Sequence, residues 1–277
     1  MHKKFAIFGD PVEHSLSPLI HNAAFTALGA DANYYKIHLQ DGSRLKETFF
    51  QEKLSGANIT VPHKEAAYGA SDYLDPFAKK VGAVNTLVLK NGKLYGYNTD
   101  APGFLRSIAK FDAIKSILIL GAGGTTRATS VILRDAGYKV SILNRSQKRL
   151  ESFIDQGFDC YTFESFPASS YDLIVNMTSA GLKDGNLPTP ESILKPLLKN
   201  AKAAVDIIYG KETPFLKLAK SYNLPTNDGK DMLVAQAVLA FDYFTEQQYD
   251  LKKVESVMKR AIDQESVKPI KKKNPRV

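Results

Sequence analysis

The chain has one cysteine, Cys160, in 277 residues. No internal disulfide is therefore available, and such thiol poverty fits a reducing compartment. Histidine is scarce too. Positions 2, 14, 21, 38 and 63 contain no pair at the i, i+4 spacing of a helical metal site, and Cys160 has no partner; a metal centre is not expected. No stretch approaches the run of about 20 apolar residues that a membrane helix needs. The start, Met1-His2-Lys3-Lys4-Phe5, leads directly into a strand pattern with no apolar signal core, which predicts a cytoplasmic protein. Acid is missing from the end of the chain. Residues 268–277 carry Lys268, Lys271, Lys272, Lys273 and Arg276, five of the eight net positive charges. With Pro269 and Pro275 and little to bury, this segment is predicted to be a disordered basic tail. The rest of the chain is only weakly basic, so neither a specific nucleic acid nor a membrane is an expected partner.

What remains is an ordinary globular composition, 44% hydrophobic and 24% charged, long enough for about two domains. Strand and helix patterns alternate. Lys4–Gly9 reads as a strand; Ser17 then reads as a helix cap with Pro18 at the first helical position, and Gly29 closes that helix. Asn33–Leu39 (strand), Arg44–Leu54 (helix) and Gly56–Val61 (strand) follow. Val84–Leu89 and Lys93–Tyr97 flank Asn91-Gly92, a two-residue hairpin signal. Asp100–Lys110 reads as a bridging helix. Beyond it come strands at Ser116–Leu120, Lys139–Leu143, Asp172–Asn176 and Ala203–Ile207, then helices at Met232–Thr245 and Asp250–Ile262. These last helices have no strand to cross to and are expected to pack back on the first domain. The expected fold is α/β with two domains and a cleft between them. The first, residues 1–103 plus 234–267, has a mainly parallel sheet completed by the C-terminal helices. Residues 104–233 form the second.

Ser116-Ile-Leu-Ile-Leu120 runs into Gly121-Ala122-Gly123-Gly124-Thr125-Thr126-Arg127-Ala128: an apolar strand, a glycine turn and a helix start. Such a turn lets backbone N–H groups approach a pyrophosphate in front of the helix's positive end, the arrangement of a Rossmann-like dinucleotide site. The next strand ends in Asn144-Arg145-Ser146, with Lys148 and Arg149 close behind. An NAD site places Asp or Glu there; cations suit the 2′-phosphate of NADP. The third glycine of the fingerprint is replaced by Thr126.

A second set of polar residues gathers at strand ends and turns of the first half. Ser15 and Ser17 precede a helix N-terminus and form either an anion cradle or, for Ser17, a plain cap. Asn58 and Thr60 share one face of a strand, Lys64 follows Pro62, and Asn85-Thr86 and Asn98-Thr99-Asp100 flank the hairpin. Together they offer amides and hydroxyls for a polyol, one cation and one carboxylate, a set able to handle a secondary alcohol that becomes a ketone.

These motifs, in this order from about Phe5 to Ala237, resemble the shikimate dehydrogenases. The resemblance is carried by Gly9-Asp-Pro-Val-Glu-His-Ser15-Leu-Ser17-Pro18 with His21-Asn22, and by Asn58-Ile-Thr60-Val-Pro62-His-Lys64. Gly82-Ala-Val-Asn85-Thr86, Gly96-Tyr-Asn98-Thr99-Asp100, Gly121-Ala-Gly123-Gly124 and Asn144-Arg145-Ser146 continue it. Asn176-Met-Thr178-Ser179-Ala-Gly181, Asp206-Ile-Ile-Tyr209 and Gly229-Lys-Asp-Met232-Leu-Val-Ala-Gln236-Ala237 complete it.

The resemblance implies NADPH-dependent reduction of 3-dehydroshikimate to shikimate, a step of aromatic amino acid biosynthesis, by a monomer or homodimer. It implies that Ser15 and Ser17 hold the substrate carboxylate and that Asn58, Thr60, Asn85, Asp100 and Gln236 bind ring hydroxyls. Tyr209 would line the cleft, and Lys64 and Asp100 would form the catalytic pair. Gly121, Ala122, Gly123, Gly124, Asn144, Arg145, Ser146, Arg149, Thr178, Ile207 and Gly229 would hold NADP. Thr125-Thr126 and Met177 stand where the family has small residues. Quinate as substrate, NAD as cofactor, and a non-catalytic cofactor binder on the same fold are the competing readings.

Overall fold

In the computed structural model, which describes residues 2–167 and 169–267, two six-stranded sheets lie one after the other along the chain. The basic tail falls outside the described residues. The first half contains β1 (Lys3–Gly9), α1 (Ser17–Leu28), β2 (Ala32–His38), α2 (Leu45–Gln51), β3 (Gly56–Ile59) and α3 (Lys64–Ala70). β4 (Tyr73–Leu74), α4 (Pro76–Val81), β5 (Thr86–Lys90), β6 (Lys93–Tyr97) and the bridging α5 (Asp100–Ile108) follow. Its sheet has the order β2-β1-β3-β5-β6-β4, parallel except where β5 pairs with β3 and β6. The antiparallel part follows from the β5–β6 turn: Asn91 and Gly92 both take positive φ (49° and 73°), as that tight turn requires.

The second half contains β7 (Ser116–Leu120), α6 (Gly124–Asp135), β8 (Lys139–Leu143), α7 (Glu151–Ile154), β9 (Asp159–Tyr161) and β10 (Leu173–Asn176). α8 (Glu191–Asn200), β11 (Ala203–Asp206), α9 (Pro214–Ser221), β12 (Thr226–Asn227), α10 (Lys230–Phe244) and α11 (Leu251–Val267) complete it. This sheet is wholly parallel, in the order β12-β11-β10-β7-β8-β9.

Each sheet is covered on both faces, and the period-2 alternation of its central strand sorts the core. Phe5 and Ile7 of β1 join a cluster with α1, α10 and α11, whereas Ala6 and Phe8 join Leu45 and Phe49 of α2 and Ala67 of α3. Likewise Ile117 and Ile119 of β7 pack with α5 and α6, and Leu118 and Leu120 with α8 and α9. Burial on both faces is why β7 reads as an unbroken apolar run. Val234, Ala237, Phe241, Val254 and Met258 of the last two helices lie in the core of the first sheet. The expected boundaries at 103/104 and 233/234 fall inside the continuous helices α5 and α10. These two helices cross where a Cβ on Gly103 would meet the Gln236 backbone N at 2.7 Å, so the approach requires glycine.

Candidate active site

Two helix starts carry first-half polar residues; the first differs from the expected cap, and the second begins at Asp100 as expected. Ser17 is the first residue of α1, not its cap; Leu16 holds the cap position, with no side-chain capping bond. The Ser17 backbone N–H instead donates to Ser15 Oγ (3.3 Å). At α5, Asp100 is the first helical residue, and Asn98 Oδ1 accepts from the Ala101 N–H (3.3 Å). In both places an earlier residue satisfies an orphan donor, which leaves the buried Ser17 hydroxyl to bond the Tyr34 hydroxyl and the Asp100 carboxylate to take another partner. Asp100 uses that freedom: Lys64 Nζ, at the start of α3, donates to Asp100 Oδ2 at 2.6 Å. The two side chains are 21% and 16% exposed, so the pair is mostly desolvated yet reachable.

Asn58 and Asn85 lie deeper. The Tyr34 hydroxyl donates to Asn58 Oδ1 (2.8 Å), and Asn58 Nδ2 donates to Thr86 Oγ1 (3.0 Å). Asn85 Oδ1 accepts from the Thr99 N–H (2.7 Å), and its Nδ2 donates to Thr99 Oγ1 (3.0 Å). These residues are buried and bonded to one another. They form an interlocked polar floor whose Thr99 directly precedes Asp100, with Thr60 half-buried two residues after Asn58. Gln236 is nearly buried and donates to the Leu233 carbonyl (2.8 Å); its contact with Gly103 puts it one helical turn from Asp100.

The glycine turn is open. Gly121 takes φ +105°, and a Cβ there would meet Thr178 Cγ2 at 2.8 Å, so only glycine fits. Gly123 and Gly124 have nothing within 4 Å of such a Cβ, and α6 begins at Gly124 with no side-chain cap. Gly121, Ala122 and Gly123 line one wall of a cavity of about 770 Å³; Asn144, Arg145 and Arg149 line the next. Neither guanidinium has a hydrogen-bond or ion-pair partner among the described residues. Asn144 Nδ2 donates to the Ser146 carbonyl (3.0 Å), which folds this turn back on itself. Thr126 is fully buried: its hydroxyl donates to the Gly121 carbonyl (3.0 Å) and faces Met177 Sδ (3.7 Å). Thr126 and Met177 therefore touch each other and pin the helix to the strand end.

Ile207 and Gly229 also meet. The Gly229 N–H donates to the Ile208 carbonyl (3.1 Å), and the Ile207 carbonyl lies where a Cβ of residue 229 would be. Tyr209 follows on the same loop, half-buried, and burial pushes its hydroxyl above the usual phenol range. Glu65, next to Lys64, pairs with Arg127 of α6 at 3.7 Å, and so brings the lysine turn against the first turn of the glycine-started helix. Sequence reasoning missed this pair. It also missed Phe163 and residues 184–191 of the cavity lining, because no spacing rule places a long loop against a glycine turn.

Residues 7–87 match the family model described as the shikimate dehydrogenase substrate binding domain. The shikimate dehydrogenase (NADP(+)) of Helicobacter hepaticus is 47% identical over 248 residues, covering 89% of this chain and 92% of the relative. The chain belongs to the shikimate dehydrogenase family. The corresponding Helicobacter pylori J99 protein is 45% identical over 263 residues, 93% of this chain and 98% of the relative. The crystal structure of shikimate 5-dehydrogenase from Thermus thermophilus, in complex with NADP(H) and shikimate, superposes with TM-score 0.81 at 36% identity. The match covers 94% of this chain and 99% of that one.

Proposed function

We propose that this family member is an NADP-dependent shikimate dehydrogenase that interconverts 3-dehydroshikimate and shikimate. The observation that carries this reading is the mostly desolvated Lys64–Asp100 pair (2.6 Å), tied through Glu65 and Arg127 to the open start of α6. NADPH, when bound, supplies a hydride to the ketone carbon. Lys64 donates a proton from its ammonium to the ketone oxygen, and in the reverse direction takes it from the alcohol. Asp100 accepts the lysine hydrogen bond and orients both the lysine and the substrate hydroxyl. Ser15 and Ser17 receive the carboxylate at the start of α1. Thr60, Gln236 and Tyr209 contact the ring directly, while Asn58 and Asn85 present ring-hydroxyl partners from a pre-bonded floor.

The residues around the glycine turn fit NADP. The space over Gly123 and Gly124 admits a pyrophosphate at a helix start, and Gly121 and Ala122 shape the turn beneath it. Arg145 and Arg149, with Asn144 and Ser146, provide unpaired cations and polar groups for a 2′-phosphate. Thr178, which lines the cavity, and the touching pair Ile207 and Gly229 complete the cofactor contacts. Residues 1–103 with 234–267 make up the substrate unit and 104–233 the cofactor unit. A cytoplasmic location accords with the single cysteine, Cys160, half-buried and with its thiol pushed up to about 11 by burial, and a monomer or homodimer is the expected state.

The test is consumption of NADPH with 3-dehydroshikimate, and the reverse reaction with shikimate or quinate and with NADP+ or NAD+. Turnover fastest with shikimate and NADP+ is expected. No turnover with any pair would favour a non-catalytic binder. Faster oxidation of quinate, or faster turnover with NAD+ at equal concentration, would overturn the substrate or cofactor assignment.

A further inference from the structure

Asp206 ends β11 in register with Asn176, which ends the neighbouring β10. Its side chain is fully buried and accepts three hydrogen bonds. Oδ2 takes one from Asn176 Nδ2 (3.0 Å) and one from Thr213 Oγ1 (2.7 Å), and Oδ1 takes one from the Ile208 N–H (3.0 Å). Asn176 passes the constraint on. Its Oδ1 accepts from both the Thr178 N–H (3.0 Å) and the Thr178 hydroxyl (2.7 Å), and Thr178 Oγ1 accepts from the Ala180 N–H (3.1 Å). Thr213 caps α9 through Leu216 N. One carboxylate thus binds the loop after β10 and the loop after β11, the two segments that carry Thr178 and Ile207–Tyr209. Burial pushes its carboxyl above the usual range, and the three donors oppose that shift.

We infer that Asp206 is a positioning residue for the cofactor wall, whose buried carboxylate fixes the spacing between Thr178 and the Ile207–Tyr209 loop. The inference rests on the reading of Thr178 and Ile207 as cofactor contacts. A carboxamide cannot replace the carboxylate at this point. It turns an N–H2 toward a set of donors and strands at least one of them in the interior. The two loops then separate or slip, and misplacement by about 1 Å is enough for about a hundredfold loss of rate.

The test measures NADP+ binding by calorimetry, kcat and KM for shikimate, and thermal unfolding, on wild type, Asp206→Asn and the swap Asp206→Asn/Asn176→Asp. The swap restores a carboxylate–carboxamide pair: the new acid at 176 accepts from Thr178 and from the new amide at 206, whose oxygen still takes the Ile208 N–H. Asp206→Asn is expected to weaken NADP+ binding at least tenfold and to lower kcat, with KM for shikimate within threefold of wild type. The swap should recover most of the NADP+ affinity. NADP+ affinity within twofold of wild type in Asp206→Asn would overturn the inference. So would parallel loss of both ligands in step with lost thermal stability, or absence of recovery in the swap. If Asp206→Asn does not fold, Asn176→Ser cuts the same link. It should weaken NADP+ at least threefold with shikimate KM unchanged, and unaltered NADP+ affinity there overturns the inference equally. A wild-type protein that neither binds NADP+ nor oxidises shikimate would remove the reading of the cleft and this inference with it. A fully active wild type matched by Asp206→Asn removes only the inference.

Discussion

In and beside the first sheet's strands, Asn58, Asn85, Thr86 and Thr99 bond to one another in the interior, whereas around the second sheet's glycine turn Gly123, Gly124, Arg145 and Arg149 are exposed. The first arrangement is fixed before any ligand arrives, so the ordering of its polar groups belongs to folding. The second leaves backbone donors and cations facing a cavity, so their electrostatic strength is expressed on binding. On the proposed function, the pre-bonded floor would set which substrate geometry is accepted and the open helix start would recruit the phosphate-bearing cofactor. Lys64 links the two halves in sequence and space: its ammonium pairs with Asp100, and the next residue, Glu65, pairs with Arg127 of α6.

The contrast is most exposed to disproof at Lys64. Lys64→Ala is expected to lower kcat by about 10²–10⁴-fold with little change in KM for shikimate, the range for a lost acid–base group. Near-normal turnover in steady-state assays would remove Lys64 from the chemistry. On the open side, Arg145→Ala should weaken NADP+ by roughly 10–100-fold, the cost of one or more charge-assisted hydrogen bonds, while NAD+ binding changes little. Equal losses for the two nucleotides in binding titrations would show that Arg145 does not read the 2′-phosphate.

The rigid side carries a pH signature. His21 is fully buried against Tyr34 (ring centroids 4.4 Å apart), neither ring nitrogen has a hydrogen-bond partner among the described residues, and burial pushes its imidazole down to about 3. The unfolded chain therefore binds a proton between pH 6.5 and about 3 that the folded chain refuses. Stability is lost as pH falls through that window, with this residue contributing up to about 1.4 kcal/mol per pH unit. Urea unfolding of His21→Leu from pH 7 to 4 should give a flatter profile than wild type; identical slopes would refute the assignment. The smallest effect is expected at the junction. Glu65→Gln breaks an exposed pair with Arg127, and such pairs contribute about 0–1 kcal/mol. Turnover should fall by less than about fivefold and the difference should vanish in high salt. A larger, salt-insensitive loss would give Glu65 a direct part in the site.

The legible features were those in which local chemistry and tertiary structure agree. Asn91-Gly92 needs positive φ at both positions and has it, and the apolar β7 followed by glycine is followed by a helix in the structure. Helix starts were less legible. Ser17, read as a cap, is the first residue of α1, and its N–H goes to Ser15; α5 does begin at Asp100 as its pattern reads, but the donor of Ala101 goes to Asn98, which the sequence does not announce. Short elements such as α3, α4 and β4 carry too few residues for a periodic signal, although α3 is the element that aims Lys64. The buried state of Asn58 and Asn85 was not legible either, since polar residues at strand ends are equally common in solvent.

Two layered α/β units, a glycine turn followed by cations, and the residue types of an alcohol–ketone chemistry are written into the chain locally, because they depend on period, turn and charge within a few residues. Packing alone decided that Lys64 meets Asp100, that Thr126 meets Met177, and that Asp206 joins two loops. The physical reason is register. The Asp206–Asn176 contact exists because β10 and β11 pair in parallel with those residues side by side, and such long-range alignment is set by the packing of whole sheet faces.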